Sequence, residues 1–185
     1  IRGSEGGRAG AGGPAAAARL HYPSGVAVDP DPGARRLYVA DRLNHAIRVA
    51  DLAVRATWTV AGVLDRFGYA GDGGAATDAL LHSPHTLAVD SAGGQLFLAD
   101  TGNRVVRRLD LGTGLLSTVA GVYSTPAVPE PSLPQVPEGR THRECSDADG
   151  AATSTHLGLP YGVAVDEGAQ HLYVADAGNG RLRGV

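Results

Sequence analysis

The phrase Pro-Ser-Gly-Val-Ala-Val-Asp at residues 23–29 decides the predicted fold, because it recurs twice along the chain. It returns as Pro-His-Thr-Leu-Ala-Val-Asp at 84–90 and as Pro-Tyr-Gly-Val-Ala-Val-Asp at 160–166. Each copy is followed by a second shared phrase, Leu-Tyr-Val-Ala-Asp or Leu-Phe-Leu-Ala-Asp, at 37–41, 96–100 and 172–176. Self-similarity of this kind is the signature of a repeat architecture.

Each repeat predicts four short β-strands. In the first repeat, apolar runs rich in Val, Ile, Leu and Tyr end at Asp or Gly, at 25–29, 36–41, 46–51 and 56–62. Runs bounded by turn formers are typical of strands, and their short connections require antiparallel neighbours. Four antiparallel strands form one blade of a β-propeller. The predicted fold class is therefore all-β, a β-propeller segment with two whole blades and a partial third.

The spacing of the repeats divides the chain into blades and connectors. Pro23 and Pro84, which open the first two repeats, are 61 residues apart, whereas Pro84 and Pro160 are 76 apart. The additional residues of the longer spacing fall in 122–146. We expect blades at 25–62, 86–121 and 160–185, a Gly- and Ala-rich connector at 1–24, a connector at 63–85, and a Pro-rich insertion with its connector at 122–159.

Both ends of the sequence fall inside a repeat. When the repeats are aligned, Ile1 corresponds to Gly62 and Val185 corresponds to Leu109. A closed propeller needs roughly four to eight blades. We therefore expect the chain to be a segment of a longer propeller, to have further blades of the same polypeptide as partners, and not to fold stably alone.

A turn with Asp and Asn three residues apart joins the second and third predicted strands. The pairs are Asp41 with Asn44, Asp100 with Asn103, and Asp176 with Asn179. Such side chains bond to nearby backbone amides and tolerate the left-handed conformation, so this spacing predicts a tight turn with Asn103 in a left-handed position, where Gly would also fit.

These turns resemble the NHL repeat, which is named for its Asn-His-Leu phrase. The first turn contains Asn44-His45, and the equivalent positions of the other two turns hold Asn103-Arg104 and Asn179-Gly180. The resemblance covers nearly the whole chain except 122–146. It implies a propeller but leaves function open, because propellers host enzymes, scaffolds and receptors alike.

Composition excludes several function classes. The 185 residues carry a net charge of −3, so there is no electrostatic case for nucleic acid as a main partner. The single Cys145 rules out an internal disulfide framework. No apolar run is long enough for a membrane span, which needs about eighteen residues. No cofactor is predicted, because phosphate loops, Gly-x-Ser-x-Gly and Cys-x-x-Cys motifs are absent.

Two histidines are candidate metal ligands. His21 and His82 stand two residues before the Pro that opens a repeat, where the innermost strand would begin, and the third repeat has Gly158 there. Peptide-amidating lyases and some lactonases are related propellers that hold metal on the central axis. The resemblance therefore implies one alternative function, part of a metal-dependent propeller enzyme.

Acidic residues give weaker metal signals. Asp147-Ala148-Asp149-Gly150 starts like a calcium loop, but 151–165 lacks the Asp or Glu that would complete it. Asp29, Asp90 and Asp166 end the first strand of every repeat. This repetition favours turn capping, because a catalytic site is normally asymmetric.

Arginine recurs in the third strand, at Arg48, Arg107 and Arg183. Some NHL propellers bind RNA on a basic face with aromatic residues for stacking, so an RNA-binding propeller is a second alternative. Aromatic residues are few here, and we expect each Arg to pair with an Asp of its own or the adjacent blade.

The Pro-rich segment 125–137 is too polar for a strand, and its spaced prolines favour extended polyproline conformation. Long loops on rigid scaffolds often carry function, so this segment is suited to contact a protein partner. The sequence favours a non-enzymatic scaffold for protein–protein interactions in a larger polypeptide or assembly, with the two alternatives left open.

Overall fold

A computed structural model describes residues 2–3, 13–90, 94–123, 151–166 and 171–185. Within these ranges the regular elements are β-strands and short 3-10 turns, so the chain is all-β as predicted. No helix in the described ranges is long and apolar enough to cross a membrane. The predictions for segment 125–137, for Cys145 and for the calcium-type loop at 147–150 lie outside the described residues.

The first blade is an antiparallel sheet in which chain neighbours are also sheet neighbours. Three short strands precede it, namely β1 (Arg2–Gly3), β2 (Gly13–Pro14) and β3 (Arg19–Leu20). The blade itself comprises β4 (Pro23–Val28), β5 (Arg36–Asp41), β6 (Ala46–Asp51) and β7 (Ala56–Ala61). The connector adds a fifth strand that the sequence did not predict, because β2 pairs along the outer edge of β7.

The second blade repeats this arrangement, and the third shows three strands. The second comprises β8 (Leu87–Val89), β9 (Gln95–Asp100), β10 (Val105–Asp110) and β11 (Leu116–Ala120). The third comprises β12 (Pro160–Asp166), β13 (His171–Asp176) and β14 (Arg181–Gly184). Ala75, which is equivalent to Pro14, likewise bridges to Leu115 beside β11. The predicted fold, two complete blades and a partial third, is confirmed.

The blades pack face to face through apolar side chains. One core cluster lies between the first two blades and contains Tyr38, Ala40, Ile47, Val49, Leu87, Leu96 and Leu98. A second cluster lies between the second and third blades and contains Val106, Ala120, Leu157, Leu172 and Val174. Every residue of β6 is buried, because its apolar and its polar side chains are covered on both faces of the sheet.

The connectors are wedged between successive blades. A 3-10 turn at Ala76–Asp78 packs against β7, and Ala152–Ser154 packs against β11 in the same way. The backbone oxygen of Ala76 accepts a hydrogen bond from Gly62 at the end of the preceding blade, at 2.9 Å. Each connector therefore contributes to the core between two blades.

The inner strands of the first two blades approach so closely that only glycine fits at Gly25. A Cβ atom there would lie 2.4 Å from the His85 backbone oxygen and 2.9 Å from Thr86 Cα. We predict that Gly25→Ala lowers the free energy of unfolding by about 1–3 kcal/mol, because one blade must shift away from the other. Urea unfolding measures this loss.

Gly94→Ala is the matched control, because a Cβ atom at Gly94 meets nothing within 4 Å. It should unfold at the same urea concentration as the parent chain. Equal midpoints for both variants would show that the close backbone approach at Gly25 is wrong.

Candidate functional site

A cluster of three polar side chains lies at the turn between the second and third strands of every blade. An Asp ends the second strand, an Asn stands three residues later, and an Arg follows in the third strand. The members are Asp41, Asn44 and Arg48 in the first blade, Asp100, Asn103 and Arg107 in the second, and Asp176, Asn179 and Arg183 in the third. We call this arrangement the Asp-Asn-Arg cluster. All three Asp residues are completely buried.

The carboxylate is the centre of each cluster. Its Oδ2 accepts a hydrogen bond from the Asn Nδ2, at 2.8, 2.7 and 2.6 Å in the three blades. The same oxygen forms an ion pair with the Arg, at 3.5, 3.6 and 2.8 Å. Its Oδ1 accepts a backbone N–H from the preceding connector, donated at 2.7 Å by His21, His82 and Gly158. One carboxylate therefore joins the connector, the second strand and the third strand.

This geometry explains the position shared by His21, His82 and Gly158. The repeated function of that position is its backbone N–H, which a glycine donates as well as a histidine. The side chain at this position is therefore free to vary between repeats.

The expected pairing of the recurring arginines with an Asp of their own blade is observed. Arg48 and Arg107 are 1% and 0% exposed, so their guanidinium groups do not reach the surface. Phosphate contacts that secure nucleic acids need exposed cations. Arg48 and Arg107, two of the arginines that suggested an RNA-binding face, instead belong to the interior of their blades, and Arg183 is partly exposed.

The prediction of a left-handed Asn103 is wrong. Asn103 lies within a 3-10 turn, and the left-handed residue is the next one, Arg104, with φ 58°. His45 and Gly180 are left-handed at the equivalent positions. The Asn side chain points back to the buried carboxylate. The change of chain direction into the third strand is therefore made by the next residue, which adopts the left-handed conformation.

The second blade has additional partners for its cluster. Arg107 also forms an ion pair with Asp72 at 2.8 Å, and its guanidinium lies 4.8 Å from the centre of the Tyr69 ring. Asn103 also donates to the Gly68 backbone oxygen at 2.7 Å. These contacts fasten the connector at 68–72 over the second blade. These contacts were not predicted, because Asp72 lies in the segment 63–85, for which only a connector was predicted.

The turns predicted to be capped by the first-strand Asp residues are described after Asp29 and Asp90, whereas the turn after Asp166 lies outside the described residues. Asp29 Oδ1 accepts the backbone N–H of Asp31 at 3.1 Å. Asp90 Oδ1 accepts the backbone N–H of Gly94 at 2.8 Å and of Gln95 at 3.1 Å. Both carboxylates hold the turn that leads into the second strand.

Asn103 is predicted to be a stronger stabilising residue than its counterpart Asn179. Asn103 donates to Asp100 and to Gly68 and is buried, whereas Asn179 donates, within the part of the chain that the structure describes, to Asp176 alone and is partly exposed. Asn103→Ala should lower the free energy of unfolding by about 1–3 kcal/mol, because a buried carbonyl loses its donor. Thermal or urea unfolding measures the loss.

Asn179→Ala is the control and should cost about 0.5–1.5 kcal/mol. Asn103→Gly should destabilise at least as much as Asn103→Ala, whereas Arg104→Gly should be tolerated at a left-handed position. A stable Asn103→Gly variant together with an unstable Arg104→Gly variant would reverse the assignment of the left-handed residue.

Burial dominates the electrostatics of the cluster. It raises the pKa of Asp41, and it raises the pKa of Asp100 to about 7, against the opposing effect of the backbone N–H and the Asn. Burial also lowers the pKa of Arg48. A buried ion pair of this kind adds little net stability, but loss of one partner leaves an uncompensated buried charge.

His82, a candidate metal ligand, lies in a cluster of rings. Its ring centre is 5.7 Å from that of His45 and 5.0 Å from that of Phe67. The neighbouring His45 does not add a ligand in its neutral form. Its Nδ1 accepts the Ser83 backbone N–H at 3.1 Å, so its Nε2 carries the proton and offers no lone pair to a metal.

His21, the second candidate, lies beside Tyr22, with ring centres 5.7 Å apart. In the described part of the chain, no three His, Cys, Asp or Glu side chains converge as metal ligands would. Metal ligation by His21 and His82 stays a prediction.

His45 should make stability depend on pH. Burial, and secondarily the neighbouring His82, lowers its pKa from 6.5 to about 4. As pH falls from about 6.5 to about 4, the unfolded chain takes up a proton that folded His45 does not, so stability falls. The raised pKa of Asp100 acts oppositely, adding stability as pH falls below about 7.

His45→Asn and His45→Gly remove the first of these contributions. Both variants should lose less stability than the parent between pH 7 and pH 4.5, as measured by urea unfolding at each pH. The third blade already has Gly180 at this position, so the Gly variant should fold. Parallel pH profiles for parent and variants would contradict the shifted pKa of His45.

Comparison with known proteins agrees with the class of protein that this architecture defines, a β-propeller built from repeated blades. No protein-family model matches the chain. NHL repeat-containing protein 2 from Bos taurus is 30% identical over 173 residues, which is 86% of this chain and 23% of that protein. Protein SUPPRESSOR OF QUENCHING 1, chloroplastic, from Arabidopsis thaliana is 28% identical over 167 residues, which is 87% of this chain and 14% of that protein.

Solved structures show the same fold. An auxiliary nutrient binding protein from Bacteroides thetaiotaomicron matches 86% of this chain and 36% of its own, with a TM-score of 0.60 and 16% identity. A protein of unknown function from the same organism matches 80% of this chain and 32% of its own, with a TM-score of 0.61 and 20% identity. The chain belongs to the NHL-repeat β-propeller family. It spans about a quarter of the length of the NHL repeat-containing relative, 23%.

Proposed function

We propose that this chain is a non-enzymatic NHL-repeat scaffold that binds protein partners within a larger polypeptide or assembly. The division into blades at 25–62, 86–121 and 160–185, separated by connectors, is part of the proposal. So is the use of the Pro-rich segment 125–137 as a second contact with a partner.

The observation that carries the proposal is an internal comparison between the first and third blades. Tyr38 and Ile47 of the first blade are 2% and 0% exposed, because the second blade covers them. Their equivalents in the third blade, Tyr173 and Leu182, are 38% and 75% exposed. We call the surface formed by Tyr173, Ala175 and Leu182 the open face. It has the residue types and the strand register of a surface that binds another β-sheet.

Burial of this face supplies a driving force for association. Fully burying a side chain such as Leu stabilises by roughly 1.5–3 kcal/mol. The polar residues that recur in every blade are already bonded to one another in the Asp-Asn-Arg clusters. Contact with a further β-sheet, from the same polypeptide or from its assembly, is therefore assigned to the open face, and contact with other proteins is assigned to the variable loops rather than to the repeated polar residues.

Leu182→Asp tests the proposal, with Val54→Asp as the matched control, since Leu182 and Val54 are 75% and 68% exposed. A charge on the open face should lower the yield of cross-links between this face and the β-sheet that covers it at least about tenfold, because the charge must be desolvated. Val54→Asp should leave the yield unchanged. Quantitative cross-linking with mass spectrometry of the protein in its native assembly measures both.

Equal yields for both variants would contradict the scaffold function of the open face. A stoichiometric zinc or calcium ion whose removal abolishes a catalytic activity would also contradict it. That second result would favour the metal-dependent propeller enzyme instead.

A further inference from the structure

A guanidinium group and a hydroxyl group of the first blade lie side by side with unused hydrogen-bonding capacity. Arg48 of β6 and Thr59 of β7 are direct partners in the antiparallel sheet. All three guanidinium nitrogens of Arg48, and the Oγ1 of Thr59, are buried and form no hydrogen bond among the described residues. The ion pair of Arg48 with Asp41, at 3.5 Å, leaves these donors available for a closer acceptor. Buried polar groups normally have hydrogen-bond partners, so this pair requires an explanation.

The second blade shows which groups satisfy the equivalent pair. Arg107 and Thr118 are sheet partners in the same register. The Asp72 carboxylate forms an ion pair with Arg107 Nη2 at 2.8 Å and accepts a hydrogen bond from the Tyr69 hydroxyl at 2.8 Å. The Tyr69 hydroxyl in turn lies 2.9 Å from Thr118 Oγ1. A carboxylate with a hydroxyl beside it therefore completes the arginine and the threonine of this blade.

The first blade lacks both of these groups because its connector has a different sequence. In the alignment that matches Ile1 with Gly62, Arg8 stands at the position of Tyr69, and Ala11 stands at the position of Asp72. An arginine side chain has donors but no acceptor, and an alanine side chain has no polar group. The missing acceptors thus result from two substitutions within the repeat.

The position that an acceptor would take lies near the surface. In the second blade the side chain of Asp72 is 39% exposed, although that of its partner Arg107 is completely buried. Thr59 of the first blade is itself partly exposed. A small ligand can therefore approach Arg48 as Asp72 approaches Arg107, without entering the core between the blades.

We propose that Arg48 and Thr59 bind a small α-hydroxy acid, a carboxylate that carries a hydroxyl group on the adjacent carbon. The Arg48 guanidinium donates to the carboxylate, because its planar array of donors matches that group. The Thr59 hydroxyl bonds to the ligand hydroxyl, which takes the part of Tyr69 beside Asp72 in the second blade. A monoanion is preferred to a phosphate dianion because the Asp41 carboxylate lies next to Arg48. The open face takes no part in this site, so the inference is independent of the proposed function.

Glycolate and acetate test the site, because they differ only by the hydroxyl group that Thr59 binds. The NMR signal of the Arg48 Nε–H group, in the chain labelled with isotopic arginine, measures binding at constant ionic strength set with sodium chloride. Thr59→Val removes the hydroxyl and keeps the shape of the side chain. Thr118→Val makes the same change in the second blade and is the matched control. Backbone spectra show whether each variant is folded.

We expect glycolate to shift the Arg48 signal saturably and to bind about three- to tenfold more tightly than acetate, which is the contribution of one hydrogen bond. Thr59→Val should abolish this preference, whereas Thr118→Val should retain it. Leu182→Asp should also retain it, and this separates the site from the proposed function.

Three results would overturn the inference. The first is equal affinity of the parent chain for glycolate and acetate, or a shift that sodium chloride alone reproduces. The second is an equal loss of preference in Thr59→Val and Thr118→Val, since the hydroxyl of the second blade takes no part in the site. The third is tighter binding of inorganic phosphate than of glycolate, because it would assign Arg48 to a different class of anion.

Discussion

The fold depends on a buried carboxylate at the end of the second strand of each blade. Asp41, Asp100 and Asp176 each join a connector, a strand and a turn through the same two oxygens. Burying a charge without partners costs several kcal/mol, so the carboxylate is favourable only when all three segments are in place. The cluster therefore specifies the register of the connector against the blade more than it adds net stability.

The distance between blades follows from the same constraint. The Asp carboxylates fix where each connector enters its blade, and the connector then places a 3-10 turn and a buried leucine between two sheets. The inner strands meet at Gly25, where a backbone oxygen occupies the space of a side chain. Polar bonding at one end of the sheet and apolar packing along its face thus act together between the first two blades. At the equivalent position of the next interface, Thr86 Oγ1 donates to the Tyr161 backbone oxygen at 2.6 Å, so the inner strands meet there through a side chain.

The blades were predictable from sequence because every strand and turn appears more than once. Repetition of the apolar runs and of the turns between them excluded a chance pattern. The left-handed residue was assigned to Asn103, although the third repeat has Gly180 at the position of Arg104, and a glycine after the Asn is the sequence signal for a left-handed residue there. The contact of Arg107 with Asp72 was hidden for a different reason. Among the described residues it occurs in one blade only, so repetition carried no signal for it.

Comparison of the repeats also distinguishes the residues that the blade structure requires from those that can vary. A position that every blade requires carries the same residue in every blade, as the positions of the Asp-Asn-Arg clusters do. His45 has Arg104 and Gly180 as equivalents, so the turn itself does not require histidine there. The same reasoning applies to Leu182, whose equivalents Ile47 and Val106 are buried between blades. Leu182 therefore keeps, at a position that is 75% exposed in the third blade, the residue type that the first two blades bury against a neighbouring sheet.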